Sequence, residues 1–209
     1  MTIYILDSNS ELCAKYLDDN SLDSMICDMA QVLCNAHFHN PIKSGFVSCS
    51  WIPLSQKKEC KWTRWIRECK ANYLWLVDLL YECLMEYRYR LSGHKMYKVL
   101  CWARDNVPDL PNIVKNNTHS TISIGIKDCS NPIHHTTLPL VMPEKYLKIY
   151  PFRMINVIES YQAYYLAMLN KKIHKIDDMD VCKCSICDKA FKSKKFKWTN
   201  REIPQWLQL

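Results

Sequence analysis

The sequence predicts a mainly helical protein with one core domain. Apolar side chains recur every three or four residues through several long segments, and only residues 1–6 and 120–126 have a strand-like composition. The chain length of 209 residues suits one ordinary domain with a small appendage. The predicted organisation is a helical core over 1–170, a cysteine-rich basic insertion over 171–197, and a C-terminal segment over 198–209 that packs back on the core.

The first two predicted helices follow the opening "MTIYIL", which fits either a short strand or an extended arm. Ser10 is the expected N-cap of a helix over 11–19, and Asn20 or Ser21 that of a helix over 22–38. The apolar spacing of the second helix predicts a buried face. Its residues are Leu22, Met25, Ile26, Met29, Val32 and Leu33.

The longest periodic segment predicts a single helix that is capped by Thr63 and stopped by Gly93. One side of this helix carries three carboxylates at successive four-residue steps, Asp78, Glu82 and Glu86. Since like charges at this spacing repel each other, we expect an exposed acidic stripe. A metal site and a contact with a basic patch are the alternatives for this row.

Two further helices are predicted nearer the C-terminus. One covers 94–107 and ends before Pro108, and the other covers 153–172. The residues between them, 108–143, are expected to form an irregular excursion.

The composition excludes several classes of protein. No apolar run approaches the roughly 18 residues that a membrane span needs, and the start "MTIYILDSNSELC" lacks the basic region of a signal peptide. We therefore expect an intracellular protein. The 3 glycines argue against phosphate-binding loops and dinucleotide-binding folds, which need several glycines close together. Most of the 12 cysteines stand singly among apolar residues, as in reduced cytosolic proteins.

Two runs of basic residues interleaved with aromatics predict binding to DNA or RNA. The formal net charge is +7, and cations concentrate over 57–70, with Trp62 and Trp65, and over 192–201, with Phe196 and Trp198. Cations neutralise phosphates, and aromatic rings can stack on bases. The alternative is a solvated basic face whose tryptophans point into the core. The candidate nucleic-acid contacts are Arg64, Lys95, Lys192, Lys194, Lys195, Lys197, Trp198 and Arg201.

The segment "VCKCSICDKAF" resembles the first knuckle of a zinc finger. Thiolates at Cys182, Cys184 and Cys187 can hold a tetrahedral zinc ion if a fourth ligand joins them, and His174 is the nearest candidate. Cysteines without metal in a loop are the alternative.

Five segments of the chain resemble successive blocks of a known family. They are "LDDNSLDSMICDMAQVLCNAH", "WIRECKANYLWLVDLLYECLMEYRYRLSGHK", "LPLVMPEKY", "ESYQAYYLAML" and "FKWTNREIPQW". Their order resembles that of a poorly characterised helical protein family of phages and large DNA viruses. The opening "MTIYIL" and the helical order are also distantly similar to phage pyrimidine-dimer DNA glycosylases. The resemblance implies a viral DNA-associated protein related to DNA- or nucleotide-processing enzymes. For such a protein we expect a location in the host cytoplasm or nucleus or in the virion.

The resemblance also implies a set of catalytic candidates and the loss of basic residues that the family has nearby. In the glycosylases, the α-amino group of the threonine after the initiator methionine attacks the sugar and forms an imine. The candidates in this chain are Thr2, which matches that threonine, and Asp19, Arg67, Glu86 and His94. The family has basic residues shortly after the position of Asp19, whereas this chain has Asn20, Ser21 and Ser24. A degenerate active site is therefore expected.

Two other functions remain open from the sequence. One is a binding module without catalysis, stabilised by zinc and holding nucleic acid through its basic tail. The other is a structural or host-interaction protein that keeps the fold only as a scaffold. For His94 the alternative to an acid–base or phosphate-contacting role is interaction with the dipole of a helix C-terminus.

Overall fold

The computed structural model confirms the mainly helical fold class. It describes residues 3–39, 59–112, 136–143, 146, 156–174 and 196–207, and within these ranges no residue belongs to a strand. The helices of the described part are α1 (Ser10–Tyr16), α2 (Asp19–His39), α3 (Lys61–Glu68), α4 (Lys70–Arg90), α5 (Tyr97–Asp105) and α6 (Val157–His174), followed by a 3-10 turn (Gln205–Leu207).

Helix α4 lies at the centre of the core. It packs against α1, α2, α3 and α5. Its own apolar side chains point to most sides of the helix. Among them, Tyr73, Leu76, Leu80 and Cys83 are fully buried. A helix that is apolar on most of its circumference has to be covered on most sides, and this explains its central place.

The predicted buried face of α2 is confirmed. All six predicted core residues of α2 are fully buried, and so are Tyr161 and Leu169 of α6. The N-terminal segment takes the extended-arm alternative, because residues 3–7 form no strand while Ile3, Ile5 and Leu6 are fully buried.

The N-terminal caps lie slightly before the predicted positions. Asn9 caps α1, because its side-chain oxygen accepts the amide N–H of Leu12 at 3.1 Å. The hydroxyl of Ser10, the predicted cap, instead donates to Asp78 on α4 at 2.6 Å. A long-range partner has therefore replaced the local capping role that the sequence suggested.

At the start of α2 the capping side chain is Asp18. Its Oδ1 accepts the amide N–H of Asn20 at 3.2 Å and that of Ser21 at 3.4 Å. The prediction of Asn20 or Ser21 as the cap was therefore wrong by two or three residues. A carboxylate before the first turn also interacts favourably with the helix dipole.

The predicted single helix between Thr63 and Gly93 is wrong, because the chain breaks at Cys69. Cys69 is extended, with φ −157° and ψ 161°. The amide N–H of the next residue, Lys70, donates to the carbonyl of Pro111 at 2.8 Å. This contact between segments distant in sequence divides the periodic segment into α3 and α4.

The ends of these helices also differ from the prediction. Cys60 caps α3, since its sulfur accepts the amide N–H of Thr63 at 3.3 Å. Helix α4 ends at Arg90, and the N–H of Leu91 donates to the carbonyl of Tyr87 at 2.9 Å, so Gly93 lies beyond the end.

Residues 196–207 pack onto the helical core. Phe196, Trp198 and Leu207 are buried in the main apolar cluster. The indole N–H of Trp198 donates to the carbonyl of Tyr16 at 3.1 Å. The carbonyl of Lys197 accepts the amide N–H of Asp19 at 2.8 Å, so this segment lies directly against the start of α2.

Candidate functional site

Polar side chains from three distant segments meet where α2 begins and α4 ends. Asp19 comes from the first turn of α2, Glu86 and Arg90 from the last turns of α4, and Thr199 and Arg201 from the C-terminal segment. We call these five residues the Arg90 network. Three of them, Asp19, Glu86 and Arg201, were candidate site residues from the sequence.

Arg90 is the centre of this network. Its side chain is fully buried, and its Nε donates to Glu86 Oε1 at 2.7 Å. Its Nη1 donates to the carbonyl of Leu17 at 2.7 Å and to Asp19 Oδ1 at 3.2 Å, while Nη2 donates to the carbonyl of Lys15 at 2.8 Å. One guanidinium therefore joins the end of α1, the start of α2 and the last turns of α4.

Glu86 accepts hydrogen bonds from two arginines. Arg201 binds it in a bidentate manner, with Nε at 2.7 Å from Oε1 and Nη2 at 2.9 Å from Oε2. Burial alone would raise the pKa of Glu86, but the hydrogen bonds and charges of Arg201 and Arg90 outweigh burial and lower that pKa. The expected exposed acidic stripe is therefore wrong at Glu86, which is a buried, ionised partner of two cations.

Local chain geometry brings Arg201 to this position. Asn200 has a φ of 60°, the left-handed region that asparagine tolerates better than most residues. The turn closes when the N–H of Arg201 donates to the carbonyl of Trp198 at 2.9 Å. The guanidinium of Arg201 then lies 4.2 Å from the centre of the Tyr89 ring, a cation–π contact on its outer side.

Asp19 is held by the same turn. The hydroxyl of Thr199 donates to Asp19 Oδ2 at 2.6 Å, and its amide N–H lies 3.2 Å from Oδ1. With Arg90 on the other side, this carboxylate is fully engaged in hydrogen bonds. Neither Asp19 nor Glu86 is therefore placed as a general acid, because the oxygens of each already accept hydrogen bonds from donors in position.

His94 lies beside the Arg90 network and faces α2. Its Nε2 is 3.2 Å from Asp23 Oδ1, and its Nδ1 accepts the amide N–H of Met96 at 3.1 Å. The ring of Tyr87 packs edge-on against the imidazole, with ring centres 4.8 Å apart. The side chain of His94 is only 6% exposed, whereas that of Asp23 is about half exposed, at 51%. A neutral imidazole that accepts at Nδ1 carries its proton on Nε2 and donates it to Asp23.

Cys27 completes a cluster with Asp23 and His94. One ligand atom from each of the three residues lies within 4.8 Å of the other two, so their geometry is compatible with a metal ion. Burial and the charge of Asp23 raise the pKa of the Cys27 thiol, and Lys95 partly offsets this effect. We call Asp23, Cys27 and His94 the α2–His94 cluster.

Arg67, another catalytic candidate, lies far from the Arg90 network. Its Nη1 donates to Glu59 at 2.7 Å beside α3. Glu86 is about 24 Å further along α4 than Lys70, because an α-helix rises about 1.5 Å per residue. Arg67 therefore does not converge with Glu86 and His94.

The aromatic residues of the two basic runs are buried. Trp62 and Trp65 are 1% and 3% exposed and pack edge-to-face with ring centres 5.6 Å apart. Trp198, a candidate base-stacking residue, is also buried and uses its indole N–H in the core. The solvated-face alternative therefore describes the run at α3, where Arg64 is exposed while the tryptophans point inward.

Several sequence-based candidates fall outside the described residues. They are Thr2, Lys192, Lys194, Lys195, Cys182, Cys184 and Cys187. His174 is the last residue of α6, and its side chain is also outside the described part. Of the remaining cations, Lys95 and Lys197 are exposed next to the site.

Sequence reasoning missed two members of the Arg90 network. Arg90 stands four residues after Glu86, a spacing that signals a pair on one helix face, but the periodicity does not reveal that this face is buried. Thr199 carries no such signal, because its partner Asp19 lies 180 residues earlier.

No protein-family model, curated protein or solved structure matches the chain. Among the described residues, no helix is both long and apolar enough to span a membrane. Function is therefore argued from the geometry and charge of the site.

Proposed function

We propose that the protein is a viral DNA-associated protein that binds nucleic acid on a scaffold resembling a DNA-processing enzyme. One observation carries this proposal. Asp19, Glu86, His94 and Arg201, which the family resemblance marks in separate segments, lie around the junction of α2 and the end of α4. Such convergence is expected if these segments together form one functional surface.

The chemistry of the site favours binding over catalysis. Both candidate carboxylates are held by arginine, so their oxygens are engaged in ion pairs rather than directed at a substrate. At the positions where the resembled family has cations, Asn20 and Ser24 are exposed and uncharged, and Ser21 is buried with its hydroxyl on Asp18. We propose that the active site is degenerate while the cationic surface is kept.

Lys95 and Lys197 are the cations that this proposal places on DNA. Both are exposed, and they flank the first turns of α2. The carbonyl of Lys197 accepts the amide N–H of Asp19, the first residue of α2. The charge of Lys95 acts on Cys27, which lies about 12 Å further along α2 than Asp19. The phosphate backbone of DNA can contact both lysines, and this contact does not require the buried Trp198.

The first test is binding to double-stranded DNA as a function of salt. Affinity should fall steeply between low and high salt, because bound phosphates release counterions. Replacing Lys95 and Lys197 with glutamine should weaken binding and reduce the slope of log affinity against log salt by about 2, roughly one per phosphate contact. Mobility-shift or fluorescence-anisotropy titrations measure both quantities.

The matched control replaces Lys61 and Lys70 with glutamine. Both are exposed and carry the same total charge, but Lys70 begins α4 and lies about 30 Å from its end. Equal loss of affinity in the two double variants would show that only net charge matters and would refute this site. Absence of binding at low salt would refute the function.

Degeneracy of the active site predicts that no covalent intermediate forms. Incubation with abasic or dimer-containing DNA and borohydride should trap no adduct, because the basic residues of the resembled family are absent at Asn20, Ser21 and Ser24. Denaturing electrophoresis of labelled DNA detects such an adduct. Efficient trapping that disappears when the α-amino group of Thr2 is blocked would show that catalysis is retained.

Zinc at the knuckle stays part of the proposal. The ligands would be His174, Cys182, Cys184 and Cys187, and the metal would hold the basic insertion together rather than the helical core. The buried faces of α2, α4 and α6 contain none of these cysteines.

A further inference from the structure

We infer that the α2–His94 cluster is a binding site for a zinc ion, separate from the cysteine knuckle. Asp23 and Cys27 are four residues apart on α2, so they project from the same face of the helix. His94 reaches them from the segment after α4. Two ligands at this spacing on one helix and a third from another segment are a common arrangement in zinc sites.

The interatomic distances suit a tetrahedral ion. Zinc–nitrogen and zinc–oxygen bonds of about 2.1 Å separate the two ligand atoms by about 3.4 Å. His94 Nε2 and Asp23 Oδ1 are 3.2 Å apart. The distances from the Cys27 sulfur to the other two ligand atoms are about 3.6 Å in a zinc site. Since all three atoms lie within 4.8 Å of one another, these distances need to shorten by about 1.2 Å at most.

The donor set selects the type of ion. An imidazole nitrogen, a thiolate sulfur and a carboxylate oxygen suit zinc, whereas magnesium and calcium take oxygen ligands almost exclusively. Cys27 is not in a disulfide, so its sulfur is available. Three protein ligands leave the fourth position of the tetrahedron to water.

Tyr87 supports one of the three ligands. Its ring packs edge-on against the imidazole of His94, with ring centres 4.8 Å apart. Outer contacts of this kind fix the orientation of metal ligands. The cluster therefore has a built framework around a nearly buried His94, which distinguishes it from a chance group of surface residues.

Zinc binding also makes a specific structural demand. Coordination by His94 Nε2 moves the imidazole proton to Nδ1, which can then no longer accept the amide N–H of Met96. Met96 is half-buried at the N-cap of α5, where water can replace the lost acceptor. Zinc bound at the α2–His94 cluster should therefore shift the amide resonance of Met96.

The experiment is a cobalt and zinc titration of the full chain with Cys182, Cys184 and Cys187 replaced by serine. Cobalt should give a thiolate-to-metal charge-transfer band and the d–d bands of a tetrahedral site. Adding C27S should abolish the charge-transfer band and weaken zinc binding by more than about tenfold. Loss of a contact around a ligand already weakens metal binding by about this factor, so loss of a ligand should weaken it more. Adding C101S, which removes an exposed cysteine on α5, should change neither.

A parallel measurement on the wild-type chain follows the Met96 amide during zinc addition. The inference is overturned if the serine background binds no cobalt, if its band persists in C27S, or if zinc leaves the Met96 resonance unchanged. It does not depend on nucleic-acid binding, so the two proposals fail separately.

Discussion

Replacement of Arg90 by methionine is expected to lower the free energy of unfolding by about 3–5 kcal/mol. Methionine preserves most of the apolar volume but removes the guanidinium that donates to Glu86, Asp19 and two backbone carbonyls. Each acceptor would stay buried without this donor, and an unsatisfied buried acceptor costs more than the hydrogen bond contributed. Chemical denaturation monitored by circular dichroism measures the change.

Arg88 provides the matched control for this prediction. It lies on the same last turns of α4 but is exposed. Arg88→Met should change the free energy of unfolding by less than about 0.5 kcal/mol, as surface substitutions usually do. Arg90→Lys should fall between the two, because it keeps the charge but not the planar set of donors. If Arg90→Met were as mild as the Arg88 control, the network would have no structural role.

The sequence predicted the buried faces well and the helix ends less well, for one physical reason. The face of α2 follows from apolar spacing, which is a property of that segment alone. The break at Cys69 depends on the carbonyl of Pro111, and the altered role of Ser10 depends on Asp78. Both are tertiary contacts between residues far apart in sequence, and local propensity contains no information about them.

The candidate site shows the same division. Asp19, Glu86, His94 and Arg201 were identified as candidates, but the pairing of Arg201 with Glu86 and the role of Thr199 were not, since both reach the site from the other end of the chain. Arg67 was grouped with them by the family resemblance. The length of α4 separates it from the rest, so the segments that carry the resemblance do not all meet at one site.

Stability in acid should depend on Glu86. Its pKa is lower in the folded protein than the ordinary value of 4.5, so the folded state holds this carboxylate in its ionised form more strongly than the unfolded chain does. The stability that Glu86 provides is therefore complete above about pH 5 and is lost as pH falls through its folded-state pKa. Wild type should accordingly lose free energy of unfolding in this acid range.

Glu86→Gln should remove this pH dependence while lowering stability at neutral pH. Glutamine keeps the shape but leaves Arg90 buried without a negative partner at this position, at a cost of about 3–5 kcal/mol. Most of the cost should come from Arg90, because Arg201 is 29% exposed and solvent screens its pair. The curve of unfolding free energy against pH should be lower and flatter below pH 5 than that of wild type.

Glu202→Gln is the control, since it removes an exposed carboxylate next to Arg201 in the chain. It should leave both the neutral-pH stability and the acid slope close to those of wild type, because an exposed charge contributes little. Urea titrations at several pH values between about 3 and 7 give the three curves. An acid slope in Glu86→Gln equal to that of wild type would show that other carboxylates cause the acid sensitivity. The pairs that Glu86 forms with Arg90 and Arg201 would then have no effect on the pH dependence of stability.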